Sequence, residues 1–85
     1  MRIDLHRSFL KEFKKLPTKV RHKFIERKNL FLNNHFHPLL NNHSVDRRFP
    51  GCRSINVTGD YRAIFKEMGD TVLFMHIDTH SELYG

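Results

Sequence analysis

The chain has 85 residues, 39% of them hydrophobic with eight Phe, and a net charge of +6 at neutral pH. A chain of this size buries only about 60–65% of its unfolded surface, so residues 1–85 are read as one domain with a thin core. One cysteine, Cys52, excludes an internal disulfide and fits a reducing, cytoplasmic setting. The start, Met1-Arg2-Ile3-Asp4-Leu5-His6, is charged and alternating, so neither a signal peptide nor a membrane span is expected.

Charge is unevenly placed. Residues 1–28 hold ten Lys/Arg against three Asp/Glu, net +7, whereas residues 29–85 hold five against six, net −1. A basic half beside a near-neutral half fits contact with a polyanion or an acidic protein; a solvated Lys-rich helix face is the alternative.

In chain order, Arg2 to His6 alternates and predicts a short strand. Ser8 is placed to cap a helix with Phe9, Leu10, Phe13 and Leu16 on one face and Lys11, Lys14 and Lys15 on the other. Pro17 ends that helix, and Thr18 is placed to cap a second one reaching about Leu32, with Val20, Phe24 and Phe31 in its apolar stripe. From Pro38 to Gly51 the chain reads as irregular. Strands then follow at Cys52–Val57, Tyr61–Glu67 and Thr71–Asp78, joined by compact turns at Thr58-Gly59-Asp60 and Met68-Gly69-Asp70. Val72-Leu73-Phe74-Met75 is apolar in both phases, which places the last strand inside the sheet. The expected fold is α+β in the order β-α-α-β-β-β. A helical hairpin covers one face of a small antiparallel sheet and leaves the other face for function.

The run Gly59-Asp60-Tyr61-Arg62-Ala63-Ile64-Phe65, after Cys52-Arg53-Ser54-Ile55-Asn56-Val57, resembles the central strands of RelE/ParE-superfamily toxins. Leu40-Asn41-Asn42-His43 and Thr79-His80-Ser81-Glu82-Leu83-Tyr84 resemble the YafQ-like branch more narrowly. The resemblance spans residues 38–85 and implies a RelE-like fold and a toxin neutralised by a cognate antitoxin in a hetero-oligomeric complex. It also implies endonucleolytic cleavage of messenger RNA, commonly on the ribosome. The ParE branch shares the fold but inhibits DNA gyrase through protein–protein contact, and a non-catalytic basic RNA-binding module is a third reading. Fold alone does not choose among these.

Metal-free RNA cleavage uses the neighbouring 2′-hydroxyl as nucleophile, and it needs a base, an acid and donors for the phosphorane charge. The resemblance makes His80 a principal catalytic residue, His43 a partner acid or base, and Asp60 a site carboxylate. Each has a structural alternative: a surface His, a loop-ordering His and a turn-forming Asp. For RNA binding, Arg62 suits a phosphate with two donors, and Tyr84 suits a base or a phosphate. Packing against an acidic neighbour and covering the sheet edge are their alternatives. Arg53 and Asn56 are the other RNA-binding candidates; they lie on one strand but project to opposite faces, so both line one surface only if a bulge intervenes. Asn56 stands where YafQ-like toxins often carry another His, so any proton transfer falls on His80 and His43. His35, His37 and His43 match no standard ligand spacing, and neither a metal nor another cofactor is expected. His6, His22 and His76 read as surface residues.

Overall fold

In the computed structural model, which describes residues 1–85, β1 (Arg2–Leu5) leads into α1 (Arg7–Lys14) and α2 (Thr18–Asn33). A 3-10 turn (Pro38–Leu40) and a two-residue strand, β2 (His43–Ser44), follow. The meander of β3 (Cys52–Asn56), β4 (Tyr61–Met68) and β5 (Thr71–Thr79) then ends in a short helix, α3 (His80–Tyr84). The sheet order is β1-β5-β4-β3-β2. No helix is long and apolar enough to cross a membrane.

The α+β class and the β-α-α-β-β-β core are as expected, with four refinements. The sheet is mixed: β1 pairs with β5 in parallel, Arg2 opposite Thr71 and Leu5 opposite Phe74. Two helices separate β1 from the meander, so the chain returns to its starting edge in the same direction. Helix α1 begins one residue before Ser8 and is capped by His6, whose Nδ1 accepts from the Ser8 backbone N–H at 3.0 Å. Pro17 is the capping position of α2, while the Thr18 hydroxyl, already inside the helix, accepts from Arg21 Nη2. The last strand runs one residue further than expected, to Thr79, and His80–Tyr84 after it form a helix that the periodicity did not mark.

The core lies between the helices and one sheet face. Phe9, Val20, Phe24 and Phe31 from the helices meet Ile55, Val57, Ala63, Phe65, Val72, Phe74 and Ile77 from the strands. Phe24 sits at its centre, 5.0 Å from the Phe9 ring and 5.2 Å edge-on to Phe74. Such aromatic pairs add to the stabilisation from area burial alone.

One irregularity sets how the far end of the sheet is used. Phe65 pairs with Phe74 but Ile64 pairs with His76, so Met75 is an extra residue in β5. A bulge reverses the in–out phase of a strand. Here it lets Phe74 and Ile77 both enter the helix-side core and sends His76 and Asp78 to the opposite face with Ile64 and Arg62. That opposite face is not left wholly open, as the sequence led us to expect. Val45, Cys52, Ile64 and Leu83, flanked by Phe49 and Tyr84, form a second small core on it. The open part of this face is therefore confined to the end where β2, β3, β4 and α3 meet.

β1 spans only the first half of the β5 edge. Beyond it the Glu12 carboxylate accepts from Ile77 N at 3.4 Å and from His76 Nδ1 at 3.1 Å, so α1 finishes the edge that β1 leaves. Because Phe24 is buried in a thin core, Phe24→Ala is expected to cost about 3–5 kcal/mol, most of the stability of a domain this small. Urea unfolding reads this directly, and a loss below about 1 kcal/mol would mean that Phe24 does not hold the helix–sheet junction.

Candidate active site

At the open end of the second face lies a cleft of about 280 Å³ lined by Asn41, His43, Val45, Ser54, Arg62, His80 and Tyr84. Four residues singled out from the sequence (His43, Arg62, His80 and Tyr84) thus share one solvent-open cleft, although they come from β2, β4 and α3.

Each is held by a local device. Asn41 adopts the left-handed conformation (φ 46°), which asparagine tolerates better than most residues, and ends the 3-10 turn. Its carbonyl oxygen lies 2.7 Å from His43 Nδ1. A carbonyl only accepts, so Nδ1 carries the proton and the neutral His43 ring keeps its lone pair on Nε2. Arg62 is anchored through Nη1 alone, which donates to the carbonyls of Thr58 (2.9 Å), Gly59 (3.0 Å) and Tyr61 (3.1 Å). Backbone carbonyls rather than a carboxylate hold it, so its charge stays unpaired and its other nitrogens stay free for an anion.

His80 opens α3 where the chain leaves β5. The helix is capped by the Thr79 hydroxyl, which accepts from Glu82 N at 3.2 Å. The His80 backbone N–H donates to the Asp60 carbonyl at 2.8 Å, tying α3 to the β3–β4 hairpin. Tyr84, one turn on, packs 4.7 Å from the His80 ring. Burial raises the Tyr84 phenol above its ordinary value, although Ser54 and the Arg62 charge both favour the phenolate. Tyr84 therefore remains a neutral O–H donor well above neutral pH.

The other three candidates stand apart from the cleft lining. Asp60 is exposed on the hairpin and bonds through its backbone, its N–H to the Thr58 hydroxyl and its carbonyl to His80 N–H. Asn56 faces the same side as Ser54, opposite Arg62 in register, with its Oδ1 buried and unpartnered. Arg53 points to the helix side, where it bonds the Asn42 side-chain oxygen at 2.8 Å and lies 5.6 Å over the Phe36 ring. The histidines with metal-like proximity in sequence have separate tasks. His35 stacks on Phe31, His37 accepts from Leu39 N, and His43 bonds Asn41. Burial raises the Cys52 thiol, only partly offset by Lys66 and reinforced by Asp46, which makes it a poor nucleophile.

Sequence reading missed the clasp on α3. Arg48 Nε donates to the Leu83 carbonyl at 3.0 Å, and Phe49 packs edge-on to Tyr84 at 5.9 Å and against His76 at 5.5 Å. Both lie in the segment read as irregular, where no periodicity marks a residue that folds back on the site.

A family model for the ParE toxin of type II toxin–antitoxin systems matches residues 3–84. The chain belongs to that family. It is a type II toxin of the RelE/ParE superfamily. Its fold is similar to that of YafQ from Escherichia coli BL21(DE3), at 24% identity and TM-score 0.79 over 100% of both chains. It also resembles the E. coli DinJ–YafQ complex (23%, 0.78, 100% of both chains). A third similar structure is the RelB–RelE antitoxin–toxin complex from Methanococcus jannaschii (18%, 0.75), over 95% of this chain and 94% of that one. No curated protein gives a match.

Because Arg48 holds the carbonyl end of α3, Arg48→Ala in the toxin is expected to speed amide exchange at Gly85, which bonds back to Ser81, by about two- to tenfold. The His80 and Tyr84 ring resonances should shift with it. Unchanged exchange and ring signals would remove Arg48 from the account of the site.

Proposed function

We propose that this toxin is an endoribonuclease that cleaves messenger RNA, acting on ribosome-bound message in the cytoplasm and held inactive by a cognate antitoxin. The observation that carries the reading is the convergence of two imidazoles, a guanidinium with free nitrogens and a phenol in one open cleft. These groups supply what 2′-hydroxyl attack requires. His43, with its lone pair on Nε2, takes the 2′-hydroxyl proton. The 2′-oxygen bonds to phosphorus, and the 5′-oxygen leaves with a proton from His80. Arg62 faces the charge that develops on the non-bridging oxygens. The products are a 2′,3′-cyclic phosphate and a 5′-hydroxyl, and no step draws on a metal.

Asp60 enters this reading through the carbonyl that fixes His80. Asn56 contributes a polar group beside Arg62 but no titrating one, so both proton transfers fall to the two histidines. Arg53 supports the loop that carries His43 through its bonds to Asn42. The ten cations of residues 1–28 ride mainly on the helical layer, across the sheet from the cleft, where they suit docking on ribosomal RNA or an acidic antitoxin segment.

The ParE name of the matching family model favours one second reading, inhibition of DNA gyrase by protein contact. The two differ in what stops growth. Induced expression of the chain alone is expected to arrest growth and to produce mapped cuts in translated messages. His80→Ala should lower cleavage about 10²–10⁴-fold, the usual share of one acid–base group. Cleavage should vanish on a message with 2′-deoxyribose at the cut. Arrest with intact messages and stalled gyrase would instead establish the second reading.

A further inference from the structure

Ser54 is the one polar residue of the chain that is buried, at 0% exposure. Its Oγ has no hydrogen-bond partner, yet it lines the cleft. An orphaned buried hydroxyl is destabilising, so a folded protein that keeps one invites an account of its use. The neighbours supply that account. Ser54 lies on β3 beneath Tyr84, close enough to favour its phenolate, although the resting contact falls short of full hydrogen-bond geometry. Tyr84 itself is enclosed by rings. His80 lies 4.7 Å from it on one side and Phe49 meets it edge-on at 5.9 Å. These contacts take up part of the ring surface that a stacking base would need, and Tyr84 shares the cleft with Arg62.

We propose that the hydroxyl of Tyr84, rather than its ring face, is the group that meets the RNA, and that Ser54 is the positioning residue that aims it. When the phosphodiester binds, the Ser54 O–H closes its contact and donates to Tyr84 Oη from below. That leaves the phenolic proton to point outward and donate to a non-bridging oxygen of the phosphodiester held by Arg62. With less than 1 Å² of its Oγ exposed, Ser54 acts through Tyr84 and does not touch the RNA. This inference rests on the nuclease reading for the identity of the ligand, but the coupling of Ser54 to Tyr84 across the shared cleft is measurable without RNA.

The test uses the full chain in a Tyr61→Phe background, so that Tyr84 is the only phenol. Ultraviolet titration follows its ionisation. Ser54→Ala should raise the Tyr84 pKa, because a group favouring the phenolate is lost while Arg62, His43 and His80 remain around it. Ser54→Thr should restore part of the shift. Thermal unfolding should show Ser54→Ala as stable as the parent or more so, since the variant removes an unpaired buried hydroxyl; a purely structural serine would give the opposite sign. On programmed ribosomes, Tyr84→Phe and Ser54→Ala should each slow cleavage by a similar factor, and the double variant no further. An unchanged titration, or full cleavage by Tyr84→Phe, overturns the proposal and leaves the nuclease reading intact. If the parent toxin cuts no RNA, the nuclease reading fails. Binding of a 2′-deoxy-substituted RNA oligonucleotide then decides: binding weakened equally by Ser54→Ala and Tyr84→Phe supports the phosphate site, and equal binding by all three proteins overturns it.

Discussion

The extra residue at Met75 is the constraint on which both halves of the molecule depend. Before it, Val72 and Phe74 point toward the helices; after it, Ile77 does, although the spacing from Phe74 to Ile77 is odd. An unbroken strand would have put His76 into the aromatic core and Ile77 onto the open face. Burying an imidazole there would leave polar nitrogens among Phe rings, at a cost of several hydrogen bonds' worth of free energy. The bulge avoids that conflict. It also directs the end of β5 so that Thr79 caps a helix on the side opposite the core.

From that geometry follows the layered use of the sheet. Its helix side is almost wholly hydrophobic and closed. Its other side is divided between a small apolar cluster around Ile64 and Leu83 and the polar cleft beside it. The cluster is the floor on which α3 rests, and Arg48 and Phe49 press α3 down from outside. His80 and Tyr84 are therefore carried by five residues of helix with little intrinsic stability of their own. Their placement comes from the cap at Thr79, the Asp60 carbonyl, the Arg48 bond and the Leu83 side chain acting together. Stability of the core and geometry of the cleft are separable. The Phe cluster decides whether the sheet forms, and these four contacts decide where two side chains point.

Much of this was legible in the residues, and the exceptions have physical causes. The helical stripe Val20, Phe24 and Phe31 and the three meander strands announced themselves through period and turn chemistry. The bulge did not, because Val72-Leu73-Phe74-Met75 is apolar in both phases and a shift within such a run leaves no trace in the pattern. The parallel pairing of β1 was hidden because four residues carry no mark of their partner's direction. His6 displaced Ser8 as the cap of α1 because an imidazole nitrogen also accepts a backbone N–H, and cap propensity ranks hydroxyls first. At the cleft, His43, His80 and Tyr84 were marked by the resemblance to YafQ-like toxins, and Arg62 by its place after the Gly59-Asp60 turn; as isolated polar residues they would read as ordinary surface. Ser54 was unmarked, since a serine in an alternating strand reads as ordinary. Its significance comes from zero exposure and a missing partner, which only packing reveals.

The division between cationic helices and cleft bears on how one fold serves different toxic outcomes. The helical layer offers long-range, salt-sensitive attraction to any polyanion and little discrimination. The cleft offers the reverse: one unpaired guanidinium, two imidazoles and a phenol gathered in a small space, too few charges for strong long-range attraction. In the nuclease reading the first surface delivers the toxin and the second acts, and neither alone is toxic. In a reading that uses only the first surface, nothing would draw on the unpaired Ser54 hydroxyl under Tyr84, a cost borne at the cleft. A cost placed where no core needs it weighs toward chemistry at that place, and it weighs on this chain's own residues rather than on the fold it shares with its relatives.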